Sequence, residues 1–480
     1  MKFRYIYLLS FVIILYTSCK KDLGNYTYSP PSEPVIAGLK DGVFPALIGD
    51  SLILNPKITI SDADPAKDLE YEWRISVQEL LRENVYKGYP LRMVYNLGPG
   101  ERSARLIVTD KRNGLKYTIP FKITGTTQFS VGQLILSSDN GKSKFSFVKP
   151  DGTVLPDLYQ SLNGEALPDN PVQLYYSKPL AYQLNTKEEY WLLCDQSAQG
   201  GVVIDAGTLL KKTFFDAQFF SAPAVISPGY LEPVFYPSQM GTVPNGVVNG
   251  KFYVGTQSTA PNADDYGKFG NEQSGDYTMS KYFTHGSNFY FGFNTKAKAF
   301  IIFAGDGSYT GSSYPIDAAS TGFDPKNVGM DDLLYMRAGD GGTSYAFFKA
   351  ADGSVSELSF TYPFGDAKSF KALGKRAFKG ASLVTAATKW QRSSLNVFYF
   401  SSNDKIYRYN PVNEDLKVLD ANFGGKAVSM LKISADDNTL TVGVEGSVHT
   451  VNVSVGVNGI ITKTINGIPG APVDILIKNL

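Results

Sequence analysis

A long series of short apolar strands, separated by turns, fills the chain from about Thr127 to its C-terminus. The strands are rich in Tyr and Phe, as in YWLLC at residues 190–194 and VFYFS at residues 397–401. Roughly 350 residues in units of about 40 to 50 are typical of a β-propeller, in which each small sheet buries its faces against its neighbours. We therefore predict an all-β propeller of about seven blades over residues 127–480, with six or eight blades as alternatives.

The last of these strands bears on how the ring closes. Residues 473–477 read VDILI, which is a strand by composition. Pairing with an early strand near Leu134 would close the ring and cover both exposed sheet edges. The alternative architecture is a string of β-sandwiches, but the linkers that such a string needs are not evident.

A different strand pattern precedes the propeller, over residues 39–125. Between residues 69 and 75, apolar residues alternate with charged ones, which is the period of a half-buried strand and turns Trp73 inward. Residues 105–119 read as two strands joined by a turn that contains Asn113 and Gly114, which tolerate a positive φ. Several alternating strands and one buried tryptophan predict an immunoglobulin-like or PKD-like β-sandwich.

The N-terminus has the pattern of a secretory signal. Lys2 and Arg4 precede 12 uncharged, mostly apolar residues, too few for a membrane-spanning helix of about 20 residues. Cys19 follows at the position of a bacterial lipoprotein cysteine, so residues 1–18 are predicted to be cleaved and Cys19 to carry the lipid. Residues 19–38 then form a proline-containing linker. The alternative is an ordinary secreted protein with a stray cysteine.

Charge and composition exclude several functions. Removing residues 1–18 leaves 44 basic side chains beside 45 acidic ones, which argues against nucleic-acid binding. His285 and His449 are the only histidines, and Cys194 is the only other cysteine. The chain therefore offers few residues for nucleophile–histidine catalysis or for a histidine-ligated metal site. We predict no catalytic residue, no metal and no cofactor.

Four motifs in a fixed order resemble the PKD-like lipoprotein family of Bacteroidota. They are GNYTY at 24–28, DLEYEW at 68–73, VTDKRNGLKY at 108–117 and LSSDNGK at 136–142. The resemblance reaches about residue 180. PKD domains proper follow the tryptophan with Gly-Asp-Gly, whereas Trp73 is followed by Arg74, so the resemblance implies the sandwich alone and no site in that turn.

The resemblance also implies a location and partners. It implies an outer-membrane protein held by its N-terminal lipid alone, beside a SusC/SusD-type TonB-dependent transporter complex or neighbouring lipoproteins. There it would capture or present a nutrient as an accessory subunit. The cell surface is favoured over the periplasmic face, although Lys20 and Lys21 replace the acidic residues that often mark surface export.

A polar insertion at residues 256–284 supplies the candidate ligand-binding residues. Its aromatic rings are interleaved with polar residues, which suits a glycan or peptide surface. The candidates are Tyr266, Phe269, Tyr277 and Tyr282. The alternative is that these aromatics only hold the loop against its own blade.

Two further function classes stay open from the sequence. Acidic pairs such as Asp331-Asp332 and Asp436-Asp437 lie in turn contexts, so we interpret them as turn residues rather than as the paired carboxylates of a glycosidase. A hydrolase or lyase would instead need several carboxylates, with Arg337 or Arg392 as candidate partners, converging in the propeller's central funnel. A third reading is an adhesion module with an exposed apolar patch on the sandwich.

Overall fold

The computed structural model describes residues 31–77, 80–177, 188–236, 241–256, 267–286, 289–337, 342–361 and 369–479. The signal and Cys19 lie outside these residues. Helix is limited, in the described ranges, to four short segments: Pro65–Asp68, Leu158–Asn163, Phe215–Gln218 and Ala381–Leu383. No helix of the described chain is long and apolar enough to cross a membrane. The predicted all-β class is confirmed.

An N-terminal sandwich holds the first nine strands of the described chain. They are β1 Val35–Ala37, β2 Val43–Leu47, β3 Ser51–Leu54, β4 Lys57–Thr59, β5 Leu69–Val77, β6 Arg82–Lys87, β7 Leu91–Val94, β8 Gly100–Asp110 and β9 Lys116–Thr126. A five-stranded sheet has the order β2-β9-β8-β5-β6, and β3-β7 and β1-β4 form two smaller sheets. The parallel pairing of β2 with β9 joins the start of the sandwich to its end.

Trp73 is the centre of the sandwich core. Alternate residues of β5 are buried, and the Trp73 side chain is wholly enclosed. Its indole N–H donates a 2.8 Å hydrogen bond to the Gly88 carbonyl, and its ring lies edge-on to Phe121. The hydrogen bond satisfies the one polar group that burial would otherwise leave without a partner. The predicted inward orientation is confirmed.

The rest of the described chain forms seven small sheets, which we call blades 1 to 7. Blade 1 contains β10 Gly132–Asp139, β11 Lys142–Val148, β12 Val154–Leu155 and β36 Ala471–Lys478; blade 2 contains β13 Pro171–Ser177, β14 Glu189–Cys194, β15 Gly201–Asp205 and β16 Lys211–Phe214; blade 3 contains β17 Pro228–Tyr236, β18 Gly241–Val248 and β19 Lys251–Val254. Blade 4 contains β20 Met279–His285, β21 Phe289–Asn294, β22 Ala299–Ala304 and β23 Tyr309–Gly311; blade 5 contains β24 Asp332–Arg337, β25 Ser344–Lys349, β26 Val355–Thr361 and β27 Lys371–Ala377. Blade 6 contains β28 Trp390–Arg392, β29 Phe398–Ser402, β30 Lys405–Asn410 and β31 Asp415–Val418; blade 7 contains β32 Val428–Ile433, β33 Thr439–Val444, β34 Ser447–Asn452 and β35 Ile460–Asn466.

One edge strand of each blade faces the axis of the ring. These inner strands are β36, β13, β17, β20, β24, β28 and β32. Each contacts the inner strands of its neighbours, and between β24 and β28 the contact is a ring stack of Tyr335 on Trp390. The seven-bladed propeller predicted from the sequence is confirmed.

Apolar clusters between neighbouring blades hold the ring together. Seven such clusters lie between successive blades of the described chain, including the pair formed by blades 7 and 1. In β14, Leu192 packs toward blade 1, whereas Trp191 and Leu193 pack toward blade 3. Because both faces of a blade are buried, its central strands are continuously apolar rather than alternating.

The C-terminal strand closes the ring. β36 pairs antiparallel with β10 and places Leu476 opposite Leu134. The Ser137 hydroxyl donates a 2.5 Å hydrogen bond to the Pro469 carbonyl just before the strand. The closure predicted near Leu134 is confirmed, and blade 1 therefore combines the first and last strands of the propeller.

The sandwich rests against blade 2. β9 ends at Thr126, and the Thr127 hydroxyl donates a 2.6 Å hydrogen bond to the Gly207 carbonyl. A Cβ atom on Gly207 would lie 2.6 Å from Cγ of Pro99 in the sandwich. Glycine at this position therefore permits the close approach of the two domains.

Ring closure gives a matched pair of variants on β36. Ile475 is buried between blades 7 and 1, whereas Ile477 is 60% exposed. We expect Ile475→Ala to lower the free energy of unfolding by about 2–5 kcal/mol and Ile477→Ala to change it by less than about 0.5 kcal/mol. Urea denaturation of the two variants measures this. Equal effects would contradict the closure.

Candidate functional site

The inner strands carry polar side chains from distant parts of the sequence to the propeller axis. We call this set, together with Lys389 just before β28, the axial cluster. Its other members are Gln173, Tyr230, Glu232, Lys281, Tyr282, His285, Tyr335, Arg337, Gln391, Lys432 and Asp474. Some of them connect blades to one another, and others face water.

Asp474 connects three blades. From blade 1, its carboxylate accepts a 2.9 Å hydrogen bond from the Leu174 backbone N–H in blade 2. Its other oxygen lies 2.9 Å from the Lys432 ammonium group in blade 7, which also donates to the Ile475 carbonyl. A carboxylate with this many donors is engaged in structure rather than available to a ligand.

Two glutamines also join neighbouring blades by hydrogen bonds. The Gln173 side chain donates to the Leu231 carbonyl at 2.8 Å and accepts from the Leu231 N–H at 3.0 Å, which joins blades 2 and 3. Gln391 accepts a 3.4 Å hydrogen bond from the Ile433 N–H and joins blades 6 and 7. Both amides satisfy backbone groups of the next inner strand.

Aromatic rings join blades 4, 5 and 6. The buried Tyr335 ring packs edge-on against Tyr282 and stacks on Trp390 with an interplanar angle of 10°. Burial raises the pKa of the Tyr282 and Tyr335 hydroxyls. Both are therefore neutral hydrogen-bonding groups at physiological pH.

Glu232 is the most perturbed carboxyl group of the axial cluster. Its side chain is 17% exposed, and burial raises its pKa to about 7, against the opposing effect of the Arg337 charge. The His285 Nε2 atom lies 4.0 Å from one carboxylate oxygen. Glu232 therefore exchanges its proton close to neutral pH.

Lys281 and Lys389 form a basic pair at the other end of the inner strands. Both side chains contact solvent, yet surrounding protein lowers the pKa of each ammonium group. The Lys389 charge further lowers the pKa of Lys281. Within the described residues, neither ammonium group has a carboxylate within 4.0 Å, although Lys281 lies over the Tyr282 ring. The pair therefore presents two exposed positive charges.

The basic pair and Glu232 occupy different levels of the axis. Lys281 precedes His285 by four residues on β20, which corresponds to roughly 13 Å at the rise of a β-strand. The axial cluster thus has two lysines at one level and a titrating carboxyl group at another. The two ammonium groups can pair with an acidic group of a ligand.

Two of the predicted ligand-binding residues pack inside the propeller. Phe269 is wholly buried between blades 2 and 3, and its backbone forms single bridges with Gly255 and Phe219. Tyr277 is buried between blades 3 and 4, and its hydroxyl donates to the Gln273 carbonyl at 2.7 Å. In this structure neither ring is available to a ligand, so packing of the loop against its own blades accounts for both residues.

The other predicted residues have different positions. Tyr282 lies in β20 beside Lys281 and joins the axial cluster. Tyr266 and Cys19 lie outside the described residues. Glu232, Lys281 and Lys389 were not predicted. The signal that points to the first two is a charged residue inside an otherwise apolar inner strand.

Other chemically suggestive groups are structural. The Ser447 hydroxyl lies 3.1 Å from Nε2 of His449, but the second ring nitrogen contacts the Thr464 hydroxyl rather than a carboxylate. Burial and the Lys426 charge lower the pKa of His449. Across the described chain, no group of three or more His, Cys, Asp or Glu residues could hold a metal ion.

Residues 19–171 match the sequence model of the PKD-like family. The matched segment covers the sandwich and the three strands β10 to β12, so it stops short of the strand β36 that completes blade 1. No curated protein matches the chain significantly.

A comparison with solved structures found partial similarity to several proteins. A quinoprotein alcohol dehydrogenase-like protein from Bacteroides thetaiotaomicron is 14% identical with a TM-score of 0.44, over 94% of this chain and 100% of that chain. A protein of unknown function from Desulfotomaculum acetoxidans is 13% identical with a TM-score of 0.40, over 72% and 98%. Dihydro-heme d1 dehydrogenase NirN is 10% identical with a TM-score of 0.34, over 86% and 76%. At these TM-scores, none of the three indicates what this chain binds or catalyses.

The raised pKa of Glu232 makes stability depend on pH. The folded protein binds the Glu232 proton more tightly than the unfolded chain does. The contribution of Glu232 to the free energy of unfolding therefore falls as pH rises from about 4.5 to about 7. Glutamine does not titrate, so Glu232→Gln removes that loss. Between about pH 4.5 and 7, the free energy of unfolding of the variant should rise by up to about 3 kcal/mol relative to that of the wild type. Urea denaturation at several pH values measures the difference. Exposed Glu70→Gln serves as control, and parallel profiles for wild type and Glu232→Gln would contradict the assignment.

Proposed function

We propose that this protein is a lipid-anchored, non-catalytic accessory protein of the outer membrane, which captures a nutrient ligand beside a SusC/SusD-type TonB-dependent uptake complex. The leader of residues 1–18 before Cys19 supports the anchor, the PKD-like match at residues 19–171 supports the sandwich, and the setting follows from the resemblance of the N-terminal motifs. The axial cluster supports the binding role. The sandwich then acts as a spacer or docking module between the membrane and the propeller.

The basic pair of Lys281 and Lys389 carries this proposal. The like charges of Lys281 and Lys389, each in surroundings that lower the pKa of its ammonium group, cost free energy, because neither has a carboxylate within 4.0 Å in the described chain. An anionic ligand would offset that cost. Charged groups whose pKa is shifted by their surroundings cluster at binding and catalytic sites.

The surroundings of the pair narrow the class of ligand. Tyr282 lies beside Lys281, and Tyr230 lies deeper along the axis near Glu232. Aromatic rings and neutral hydroxyls next to two cations suit an acidic glycan or the carboxylate end of a peptide. The candidate ligand is therefore a polar nutrient with an acidic group.

Removing the basic pair should abolish capture of acidic ligands. We expect Lys281→Met/Lys389→Met to weaken binding of an oligogalacturonate or of a tripeptide with a free carboxylate at least tenfold, because both lose their counter-charge. Wild-type binding should also weaken as salt is raised. Calorimetric titration of the full-length protein in detergent measures both effects.

Lys463→Met is the matched control, because this exposed lysine lies on β35 at the outside of blade 7. It should bind like the wild type. Equal affinity of the double variant and the control, or a failure of the wild type to bind any acidic probe, would refute the axial site.

A cell-surface hydrolase or lyase is the second candidate function. It is favoured by one observation: a carboxyl group with a pKa of about 7 lies near His285 and Arg337, as a general acid or base requires. Glycoside hydrolysis needs two carboxyl groups facing one bond, and Asp474 is already engaged by Leu174 and Lys432. Turnover of a bound probe that is lost in Glu232→Gln would establish the enzyme instead.

A further inference from the structure

A cavity lies away from the propeller axis, beside β11 of blade 1. It has a volume of about 210 Å³ and is bounded by β11, the helix Leu158–Asn163 and the loop that follows this helix. Its lining comes from residues 139–169, so it does not share side chains with the axial cluster.

Two ion pairs form its polar walls. The Lys142 ammonium group lies 2.6 Å from the Asp169 carboxylate, and the Lys144 ammonium group lies 2.9 Å from the Asp157 carboxylate. Each wall therefore presents a hydrogen-bond donor directly beside an acceptor. Asp139 adds a third carboxylate at the edge.

The position of Asp157 is unusual for a residue that begins a helix. Its backbone is left-handed, with φ of 47°, and its carboxylate makes no capping hydrogen bond to the helix. An N-cap aspartate ordinarily stabilises its own helix by accepting a hydrogen bond from a backbone N–H of the first turn. Here the carboxylate instead pairs with Lys144 on the wall of the cavity.

The floor of the cavity is apolar and fixed. Phe145, Tyr159 and Leu167 line it and are almost fully buried. The Tyr159 hydroxyl is held by a hydrogen bond to Glu165. A rigid apolar floor between polar walls matches a ligand with one apolar face and a polar rim.

Size and charge select among ligand classes. The cavity is smaller than the roughly 300–1,000 Å³ of most small-molecule pockets, so it admits a ligand the size of one sugar ring. Three carboxylates beside two ammonium groups disfavour an anion. Among the described residues, these carboxylates do not belong to any group of three or more His, Cys, Asp or Glu side chains that could hold a metal ion.

We propose that this cavity binds one neutral sugar residue, either free or as part of a longer glycan. Neighbouring ring hydroxyls can each accept a hydrogen bond from a lysine and donate one to its paired aspartate, while the C–H face of the ring lies on the apolar floor. The site is independent of the proposed axial site, because it uses other residues and another ligand chemistry.

Saturation-transfer NMR on the full-length protein in detergent tests this inference. The probes are glucose, galactose, mannose, xylose and N-acetylglucosamine, with glycerol for comparison. We expect transfer to at least one sugar and not to glycerol. Lys144→Met and Asp157→Asn should each weaken that binding at least tenfold.

Two further variants make the outcome decisive. Ala166 is exposed at the rim, so Ala166→Trp should fill the cavity and block binding with both ion pairs intact. Lys298→Met breaks a comparable lysine–aspartate pair, to Asp331, outside the cavity and should leave binding unchanged. Transfer to no sugar, equal transfer to glycerol, or binding that survives Ala166→Trp would overturn the proposal.

Discussion

The pairing of the C-terminal strand with the first propeller strand is the constraint on which the rest of the structure depends. Seven small sheets that each bury two faces are stable only if every face has a neighbour, and β36 supplies the contact that joins blade 7 to blade 1. Asp474 strengthens this closure, because its carboxylate bonds to blade 2 on one side and to blade 7 on the other. The PKD-like match ends at residue 171, so the matched segment contains most of blade 1 without the strand that completes it.

Closure also creates the axial cluster. Glu232, Lys281 and Lys389 belong to three different blades and line one axis only when all seven inner strands surround it. Several polar groups of the cluster form hydrogen bonds between blades, as Gln173 does with Leu231. The basic pair is different, since in the described chain it has no carboxylate partner. This difference between paired and solvent-facing charges is the reason for assigning the proposed binding role to one end of the axis.

Much of the fold could be predicted from the sequence, because local periodicity reflects burial. Trp73 lies in a strand whose apolar and charged residues alternate, which indicates one buried face. The apolar run at residues 190–194 indicates a strand with both faces buried. The site could not be predicted in the same way. Phe269 and Tyr277 looked like surface aromatics in a polar loop, but long-range packing buries them between blades. Lys389, by contrast, lies in an ordinary polar turn, and only ring geometry brings its charge near that of Lys281.

The central claim is that the closed ring presents its basic end to a ligand within an uptake complex. A structure of the native assembly, purified from detergent-solubilised outer membranes through this protein, tests it most directly. The account predicts a TonB-dependent transporter or a second lipoprotein in the assembly, and ligand density whose acidic group contacts Lys281 and Lys389. An assembly with no such partner, or a ligand bound elsewhere with no contact to Lys281 or Lys389, would contradict it.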